Sequence, residues 1–151
     1  NHITDPKMVQ RLYDASAAGV EVRLLVRGNC SLVIGQGAAT ERIEVRGIID
    51  RYLEHARILI FGNGGDELCY IGSADWMPRN LDNRIEVYTP VYDPMIRAEM
   101  KRVVEYGLAD NQAARVVDGT GENRLYEDGC PPFRSQQRLA AYYRDVFIDQ
   151  K

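Results

Sequence analysis

Apolar residues at helical spacing predict three helices along the chain. Asp5-Pro6 and Asp93-Pro94 each place a capping side chain before a proline, and proline suits the first position of a helix. The periodic segments that follow predict helices over about 6–18 and 94–109, and a similar pattern begins at Ser135.

Short alternating segments predict strands between these helices. Residues 20–26 alternate so that one face is fully apolar and the other partly apolar, and this strand ends at Arg27-Gly28. Two apolar runs joined by the glycine-rich residues 62–66 predict a hairpin over 54–72. The remaining predictions are strands over 42–45, 84–89, 114–117 and 123–126, a helical turn over 48–54, and irregular chain over 28–40 and 73–83.

This order of elements predicts an α/β fold with one mixed sheet flanked by helices, because helices alternate with strands in the first half and a hairpin lies in the middle. We expect the C-terminal helix to pack on that sheet. A chain of 151 residues is long enough for one apolar core, so residues 1–151 are predicted to form a single domain.

Composition and charge narrow the function classes. Apolar residues make up 45% of the chain and charged residues 27%, which is typical of a globular protein and excludes collagen-like and disordered chains. No apolar run approaches the length that a transmembrane helix needs. The net charge of −3 argues against a broad surface for nucleic acid, so no nucleic-acid partner is expected and any anion site must be local.

The three cysteines indicate a reducing environment. Cys30, Cys69 and Cys130 are odd in number and form no CxxC pair, so we expect neither a disulfide framework nor a metal site. A cytoplasmic location is expected, with peripheral membrane association left open. Because the sequence starts at Asn1 rather than Met and shows no leader, we expect a piece of a longer protein.

His55 and Arg27 are the candidates for chemistry, because each stands where a predicted strand meets a loop and a strand end holds a side chain rigidly. For His55 the alternative is a partly buried imidazole that bonds a backbone carbonyl. For Arg27 the alternatives are an ion pair with Glu54 or Asp75 and bidentate binding of an anionic ligand. The other histidine, His2, is expected to be exposed and idle.

The segment from His55 to Asp75 resembles a degenerate motif of the phospholipase D superfamily, in which His-x-Lys is followed by Asp and by Gly-Ser-x-Asn. Here Arg57 stands in place of the lysine and Gly62 in place of the aspartate. Asp75, the last of residues 72–75, stands in place of the asparagine that ends the motif. A tight turn capped by Asp75 is the simpler interpretation of that last segment.

Nearly the whole chain resembles the C-terminal domain of bacterial polyphosphate kinase. The matching segments are Asn1, Leu24-Leu25-Val26-Arg27-Gly28, Cys30-Ser31-Leu32, Asp50-Arg51-Tyr52-Leu53-Glu54-His55, Asn63-Gly64-Gly65-Asp66, residues 73–82, Arg84-Ile85-Glu86-Val87 and Ala109-Asp110-Asn111. The resemblance implies a phospholipase D-like domain, the second of a tandem pair, at the C-terminal end of a multidomain kinase.

That resemblance also implies an activity. The terminal phosphate of ATP would pass reversibly to inorganic polyphosphate through a histidine phosphorylated in the neighbouring domain. Arg27 and His55 would line the ATP-phosphate side of a shared tunnel, with Arg27 as a permanent cation and His55 as a hydrogen-bond donor, acid or base. Mg²⁺ is expected mainly through the other domain. The expected partners are ATP or ADP, polyphosphate, the other domains and further copies in a homo-oligomer.

Two other hypotheses stay open at this point. One is a phosphodiesterase or phosphatidyl-transfer domain in which His55 attacks phosphorus, although the lysine of the motif is absent. The other is a non-catalytic assembly module in which Arg27 and His55 satisfy structural carboxylates. Convergence of these two side chains on an open face of the sheet would favour the kinase hypothesis, under which the isolated domain is expected to be nearly inactive.

Overall fold

The computed structural model describes residues 1–35 and 37–148, with the backbone alone at residue 147. The helices are α1 (Pro6–Ala17), α2 (Pro78–Asn83), α3 (Pro94–Ala109) and α4 (Ser135–Ile148). The strands are β1 (Val22–Leu25), β2 (Ile43–Ile48), β3 (Ile58–Phe61), β4 (Leu68–Gly72), β5 (Tyr88–Pro90) and β6 (Ala114–Val116). Within this part of the chain, no helix combines the length and apolar character that crossing a bilayer requires.

The strands form two small sheets. In the first, β2 lies at the centre, parallel to β1 and antiparallel to β6. The second sheet is antiparallel, with the order β3-β4-β5. The α/β class predicted from the sequence is confirmed, but the strands are divided between a mixed sheet and an antiparallel sheet. The division arises because β5 pairs with β4 of the hairpin, whereas β6 pairs with β2.

Helix α1 covers one face of the first sheet. Its start is fixed by Asp5, whose carboxylate accepts the Met8 backbone N–H at 2.9 Å, and by Pro6 at the first helical position. Apolar residues of α1 pack against a buried cluster to which alternate positions of β1 and β2 contribute. This cluster consists of Ile3, Val22, Val26, Leu32, Ile43 and Val45. The apolar face predicted for residues 20–26 is therefore confirmed at Val22, Leu24 and Val26, but Val20 precedes the strand and is 52% exposed.

Helix α3 covers the opposite face of this sheet. Gly107 of α3 lies directly against Leu25 of β1, where an added Cβ would come within 2.5 Å of Leu25 Cδ1. The C-terminal helix α4 packs chiefly on α3 rather than on the sheet. One contact between the two helices is the 2.7 Å hydrogen bond that the Tyr142 hydroxyl donates to the Glu99 carboxylate.

The predicted hairpin is confirmed as β3 and β4. These strands pair antiparallel, with Ile58 opposite Ile71 and Phe61 opposite Leu68. The connection contains a 3₁₀ turn, Asn63–Gly65, in which Gly64 has a φ of 64°. Glycine adopts this left-handed conformation without steric cost, which explains the composition of the turn.

Several local predictions are wrong. No helix forms over 48–54, because β2 extends to Ile48 and contacts with the C-terminal segment hold the chain that follows. The strand expected over 84–89 begins only at Tyr88, and Ile85 before it is 99% exposed. Residues 73–83, expected to be irregular, contain α2. Over 123–126 there is only an isolated bridge, between Leu125 and Arg115.

Candidate functional site

The parallel pairing of β1 with β2 brings the carboxyl ends of both strands to the same edge of the sheet. Arg27 follows β1, and the loop of residues 49–57 follows β2. The Nε of Arg27 donates hydrogen bonds to the backbone carbonyl of Glu54 at 2.8 Å and to Asn1 Oδ1 at 3.2 Å. The topology therefore places Arg27 against the loop that carries His55.

Arg27 is half-buried and forms no ion pair with Glu54 or Asp75 among the described residues, so the ion-pair alternative is wrong. The Glu54 carboxylate instead accepts from Gln136 Nε2 at 2.7 Å. Both terminal nitrogens of Arg27 have no partner within residues 1–35 and 37–148. A guanidinium that is held through Nε and keeps its terminal donors unused can bind an anion.

His55 is exposed, so the alternative of a partly buried histidine bonded to a carbonyl is also wrong. Its Nδ1 lies 3.0 Å from Nη1 of Arg57, and the same Nη1 donates to the His55 backbone carbonyl at 3.0 Å. The imidazole is thus accessible to solvent and is held on one side by a guanidinium.

Arg57 and Asp75, two of the three residues that depart from the phospholipase D pattern, form an ion pair with each other. Nε and Nη2 of Arg57 donate to the two carboxylate oxygens at 3.2 and 3.3 Å. Burial would raise the pKa of Asp75, but the hydrogen bonds and charge of Arg57 outweigh burial and the pKa is lowered. Asp75 is therefore an ionised partner of Arg57, and the expectation that it caps a tight turn is wrong.

The N-terminal segment lies between the two halves of this site. Ile3 bridges to Cys30 on one side and to Trp76 on the other. His2 is half-buried, and its Nδ1 accepts the Asn29 backbone N–H at 2.9 Å. Burial lowers the pKa of His2. The prediction that His2 is exposed and idle is therefore wrong, because it has a structural role beside Gly28.

The loop that carries His55 is anchored by the start of α4. The Gln136 side chain accepts the Tyr52 backbone N–H at 2.8 Å and donates to the Tyr52 carbonyl at 2.8 Å. In the same loop, Asp50 accepts from Arg134 Nε at 2.9 Å. Residues far apart in the sequence therefore fix the backbone just before His55.

A cavity of about 160 Å³ opens beside these groups. Its polar lining includes Arg27, Arg57, Asp75 and His2, and its apolar lining comes from β1, β3 and α3. His55 does not line this cavity, although both of its sequence neighbours do. Arg27 and the His55 loop thus meet at one edge of the sheet, with Arg27 at the cavity and His55 outside it.

The chemistry of these donors does not suit Mg²⁺. The described residues contain no group of three or more His, Cys, Asp or Glu side chains placed to hold a metal ion. Mg²⁺ prefers carboxylate, phosphate and water oxygens, whereas both oxygens of Asp75 are bonded to Arg57. The residues of this site therefore do not fit a protein-bound Mg²⁺.

Sequence reasoning missed the Arg57–Asp75 pair and the anchoring role of Gln136. A signal for the pair was present, because Asp75 adds a negative charge where the motif has a neutral asparagine, and Arg57 keeps a positive charge at the lysine position that could pair with it. For Gln136 there was none, since a glutamine in the first turn of a helix is ordinary.

Comparison with known proteins points to one family. The family model described as polyphosphate kinase C-terminal domain 2 matches residues 1–136. The polyphosphate kinase of Parasynechococcus marenigrum (strain WH8102) is 48% identical over 141 residues, which is 92% of this chain and 20% of that protein. The polyphosphate kinase of Escherichia coli (strain K12) is 45% identical over 129 residues, which is 85% of this chain and 19% of that protein.

A solved structure agrees with these relatives. The crystal structure of polyphosphate kinase from Porphyromonas gingivalis superposes with a TM-score of 0.92 at 41% sequence identity. The match covers 97% of this chain and 22% of that one. The chain thus spans about a fifth of the length of the relatives it matches.

Proposed function

The chain belongs to the polyphosphate kinase C-terminal domain 2 family, and from this membership we propose that it works as part of a longer polyphosphate kinase. In that enzyme the terminal phosphate of ATP passes reversibly to inorganic polyphosphate. The observation that carries the proposal is Arg27, a half-buried guanidinium whose terminal nitrogens have no partner in the described chain. It lies against the loop that holds an accessible His55.

The reaction asks for positioning and charge neutralisation more than for covalent chemistry by this domain. In the first step, the bond between the γ-phosphorus and the β–γ bridging oxygen breaks, ADP leaves, and a bond forms to a histidine nitrogen of the neighbouring domain. In the second step, that phosphoryl group moves to a terminal oxygen of polyphosphate, which becomes one phosphate longer. Arg27 binds non-bridging phosphate oxygens, and His55 donates a hydrogen bond or exchanges a proton with them.

Rigid support favours these roles. Arg27 is fixed through its Nε, so its fork loses little further freedom when a ligand binds. The backbone before His55 is fixed by Gln136. A cation and an imidazole held on one edge can meet neighbouring oxygens of a polyanion without a large rearrangement.

The other hypotheses receive less support. A phospholipase D-type phosphodiesterase needs the lysine of the motif, which is absent here, and Arg57 in its place is paired with Asp75. An assembly module would have Arg27 satisfy a carboxylate, whereas its bonds are to a carbonyl and an amide oxygen.

A chimera tests the proposal. This chain replaces the corresponding fifth of the Porphyromonas gingivalis polyphosphate kinase, and transfer of phosphate from γ-labelled ATP to polyphosphate is measured. We expect activity within about tenfold of the parent, because the backbones superpose closely over 97% of the chain. A chimera with the elution volume and melting temperature of the parent that makes no polyphosphate would overturn the proposal.

Several broader properties stand as predictions with this proposal. We expect a cytoplasmic enzyme that forms a homo-oligomer, and Mg²⁺ bound through domains outside this chain. The isolated chain should incorporate almost no label, because the histidine that carries the phosphate lies in the neighbouring domain.

A further inference from the structure

Arg57 joins three groups that are separate in the sequence. Its Nη1 lies 3.0 Å from His55 Nδ1 and 3.0 Å from the His55 carbonyl oxygen. Its Nε and Nη2 bond the two oxygens of Asp75. The guanidinium is therefore held by a carboxylate on one side and holds a histidine on the other.

The chemistry of arginine fixes the direction of the contact with the imidazole. A guanidinium carries only N–H donors and stays protonated, so it cannot accept a hydrogen bond. His55 Nδ1 must then be the acceptor, which means that it carries a lone pair and no proton. In the neutral imidazole the single proton consequently lies on Nε2.

Asp75 fixes the position of the guanidinium. The Arg57 side chain is 16% exposed and the Asp75 side chain 6%, so the pair is largely withdrawn from solvent. Two parallel bonds to one carboxylate leave the planar group little rotational freedom. The position of Asp75 is fixed in turn by Trp76, whose carbonyl accepts the Thr4 and Asp5 backbone N–H groups at 2.8 and 2.9 Å.

We propose that the Arg57–Asp75 pair is a positioning device that holds neutral His55 in the tautomer protonated on Nε2, so that Nε2–H faces the ligand as a hydrogen-bond donor. This inference rests on the proposed function, because it takes a phosphate oxygen as the acceptor. In this tautomer Nε2 has no lone pair and Nδ1 is engaged by Arg57. His55 is therefore a donor to phosphate and not a nucleophile towards it.

The two positions thus differ in residue type from the phospholipase D motif, which has lysine and asparagine at these places. Here, arginine and aspartate meet each other, and their effect reaches the ligand through the imidazole. Arg57 and Asp75 are accordingly positioning residues, and Arg27 remains the cation that contacts the polyanion.

Nitrogen NMR tests the tautomer without any assay of activity. Long-range ¹H–¹⁵N correlation spectra of the ¹⁵N-labelled chain at about pH 9, where an ordinary imidazole is neutral, distinguish protonated from unprotonated ring nitrogens. The chain has only two histidines, so a His2→Gln variant assigns the signals. We expect a protonated Nε2 in His55, and an Nδ1 signal shifted from that of an unbonded ring nitrogen towards the protonated value. An Nδ1 signal at the position of an unbonded ring nitrogen, or a signal that shows a proton on Nδ1, would overturn the proposal.

A double variant tests the role of the pair. Arg57→Met with Asp75→Asn removes both charges of the pair together, so neither partner is left as a buried charge facing an uncharged side chain. We expect the Nδ1-protonated form of His55 to rise several-fold, towards the mixture shown by the same chain in urea. His2 should keep its tautomer, because its Nδ1 bonds the Asn29 N–H.

The matched control removes an ion pair far from His55. Lys101→Met with Glu67→Gln deletes a bridge of 2.7 Å and should leave the His55 tautomer unchanged. If both double variants shift the tautomer equally, or neither does, Arg57 does not set it. Should the first variant fail to fold, the Nδ1 signal of the unaltered chain remains decisive.

Activity of the chimera separates this inference from the proposed function. The Arg57→Met and Asp75→Asn pair should lower kcat about tenfold or more, in the range of a misplaced acid–base or donor group, with a smaller change in KM. An inactive parent chimera would contradict the proposed function while the NMR result stands. An altered tautomer with unchanged kcat would show that the device exists but does not serve the reaction, and would overturn the inference.

Discussion

The Nε of Arg27 lies 2.8 Å from the backbone carbonyl oxygen of Glu54, a residue 27 positions later in the sequence. This single hydrogen bond joins the end of β1 to the loop that follows β2. Parallel pairing makes it possible, because it directs both strand ends to one edge. The bond also uses Nε alone, and it leaves the terminal nitrogens for a ligand.

Replacing Arg27 should therefore affect activity much more than stability. An Arg27→Gln chimera loses the hydrogen bonds from Nε to the Glu54 carbonyl and to Asn1 Oδ1, which are worth about 0.5–1.5 kcal/mol each in the free energy of unfolding. It also loses the charge that, under the proposed function, faces the moving phosphate, and we expect kcat/KM for ATP to fall about 100-fold or more. Both quantities are measurable on the same preparation, by urea unfolding and by label transfer.

Arg42→Gln is the matched control for charge. Arg42 is exposed and lies in the turn before β2, and its side chain has no partner among the described residues. This variant should keep both stability and activity close to the parent values. Equal loss of activity in the two variants would mean that net charge, rather than the position of Arg27, controls the rate.

Gln136 should control the order of the loop before His55. Gln136→Ala removes three hydrogen bonds to Tyr52 and Glu54, with an expected loss of about 1–3 kcal/mol in unfolding free energy. Amide hydrogen exchange at Tyr52 should become faster, because its N–H loses its acceptor. Gln137→Ala, at the exposed neighbouring position, should change neither quantity. Unaltered exchange at Tyr52 in Gln136→Ala would contradict the anchoring role.

The elements that could be predicted from sequence are those with strong local signals. Helices α1 and α3 carry an aspartate cap and a proline, and their bounds lie within a residue or so of the prediction. The loop over 49–57 could not be predicted in this way, because its conformation is set by Gln136 and Arg134. No local pattern records contacts with residues about 80 positions away.

The site was predictable in part for the same physical reason. Arg27 is a charge at the end of an apolar strand, which is visible in sequence and correctly indicates a side chain with a special environment. The partner was not predictable, since any residue supplies a backbone carbonyl and only the fold selects Glu54. The roles of Arg27 and His55 in catalysis remain predictions.

Gly72 is needed because the Tyr88 ring lies on it. An added Cβ would come within 2.8 Å of Tyr88 Cγ and closer still to its ring edge. The ring cannot simply rotate away, because its hydroxyl donates to the Ala74 carbonyl at 2.8 Å. We expect Gly72→Ala to lower the unfolding free energy by about 1–3 kcal/mol through overpacking.

Gly62 supplies the control for that substitution. It has ordinary helical dihedrals, φ −64° and ψ −30°, and an added Cβ would meet nothing within 4 Å. Gly62→Ala should therefore leave stability unchanged or raise it by about 0.4–1 kcal/mol, because alanine restricts the unfolded chain. Thermal unfolding of both variants gives the comparison, and equal melting temperatures would contradict the close contact at Gly72.

Asp110 should be the carboxylate on which the C-terminal third of the fold depends most. It is 0% exposed. One oxygen accepts the backbone N–H groups of Gln112, Ala113 and Ala114 at 2.9, 2.7 and 3.3 Å. The other accepts the Ser135 N–H and hydroxyl, both at 2.7 Å. It thereby joins the start of β6 to the start of α4.

Asp110→Asn should lower the unfolding free energy by about 2–4 kcal/mol at neutral pH, because an amide nitrogen would face N–H donors that need an acceptor. Asp66→Asn, at an exposed carboxylate, should have little effect. Burial would raise the pKa of Asp110, but the hydrogen bonds from Ala113 and Ser135 outweigh it and lower the pKa.

The sign of the pH dependence follows from that lowered pKa. A carboxyl whose pKa is lower in the folded chain than in the unfolded chain stabilises the fold above the unfolded value, about 3.9, and loses this contribution as pH falls through the folded value. The difference in unfolding free energy between the parent and Asp110→Asn should thus be constant above about pH 5 and shrink below about pH 4. A difference that stayed constant down to acid unfolding would show that Asp110 acts through packing rather than charge.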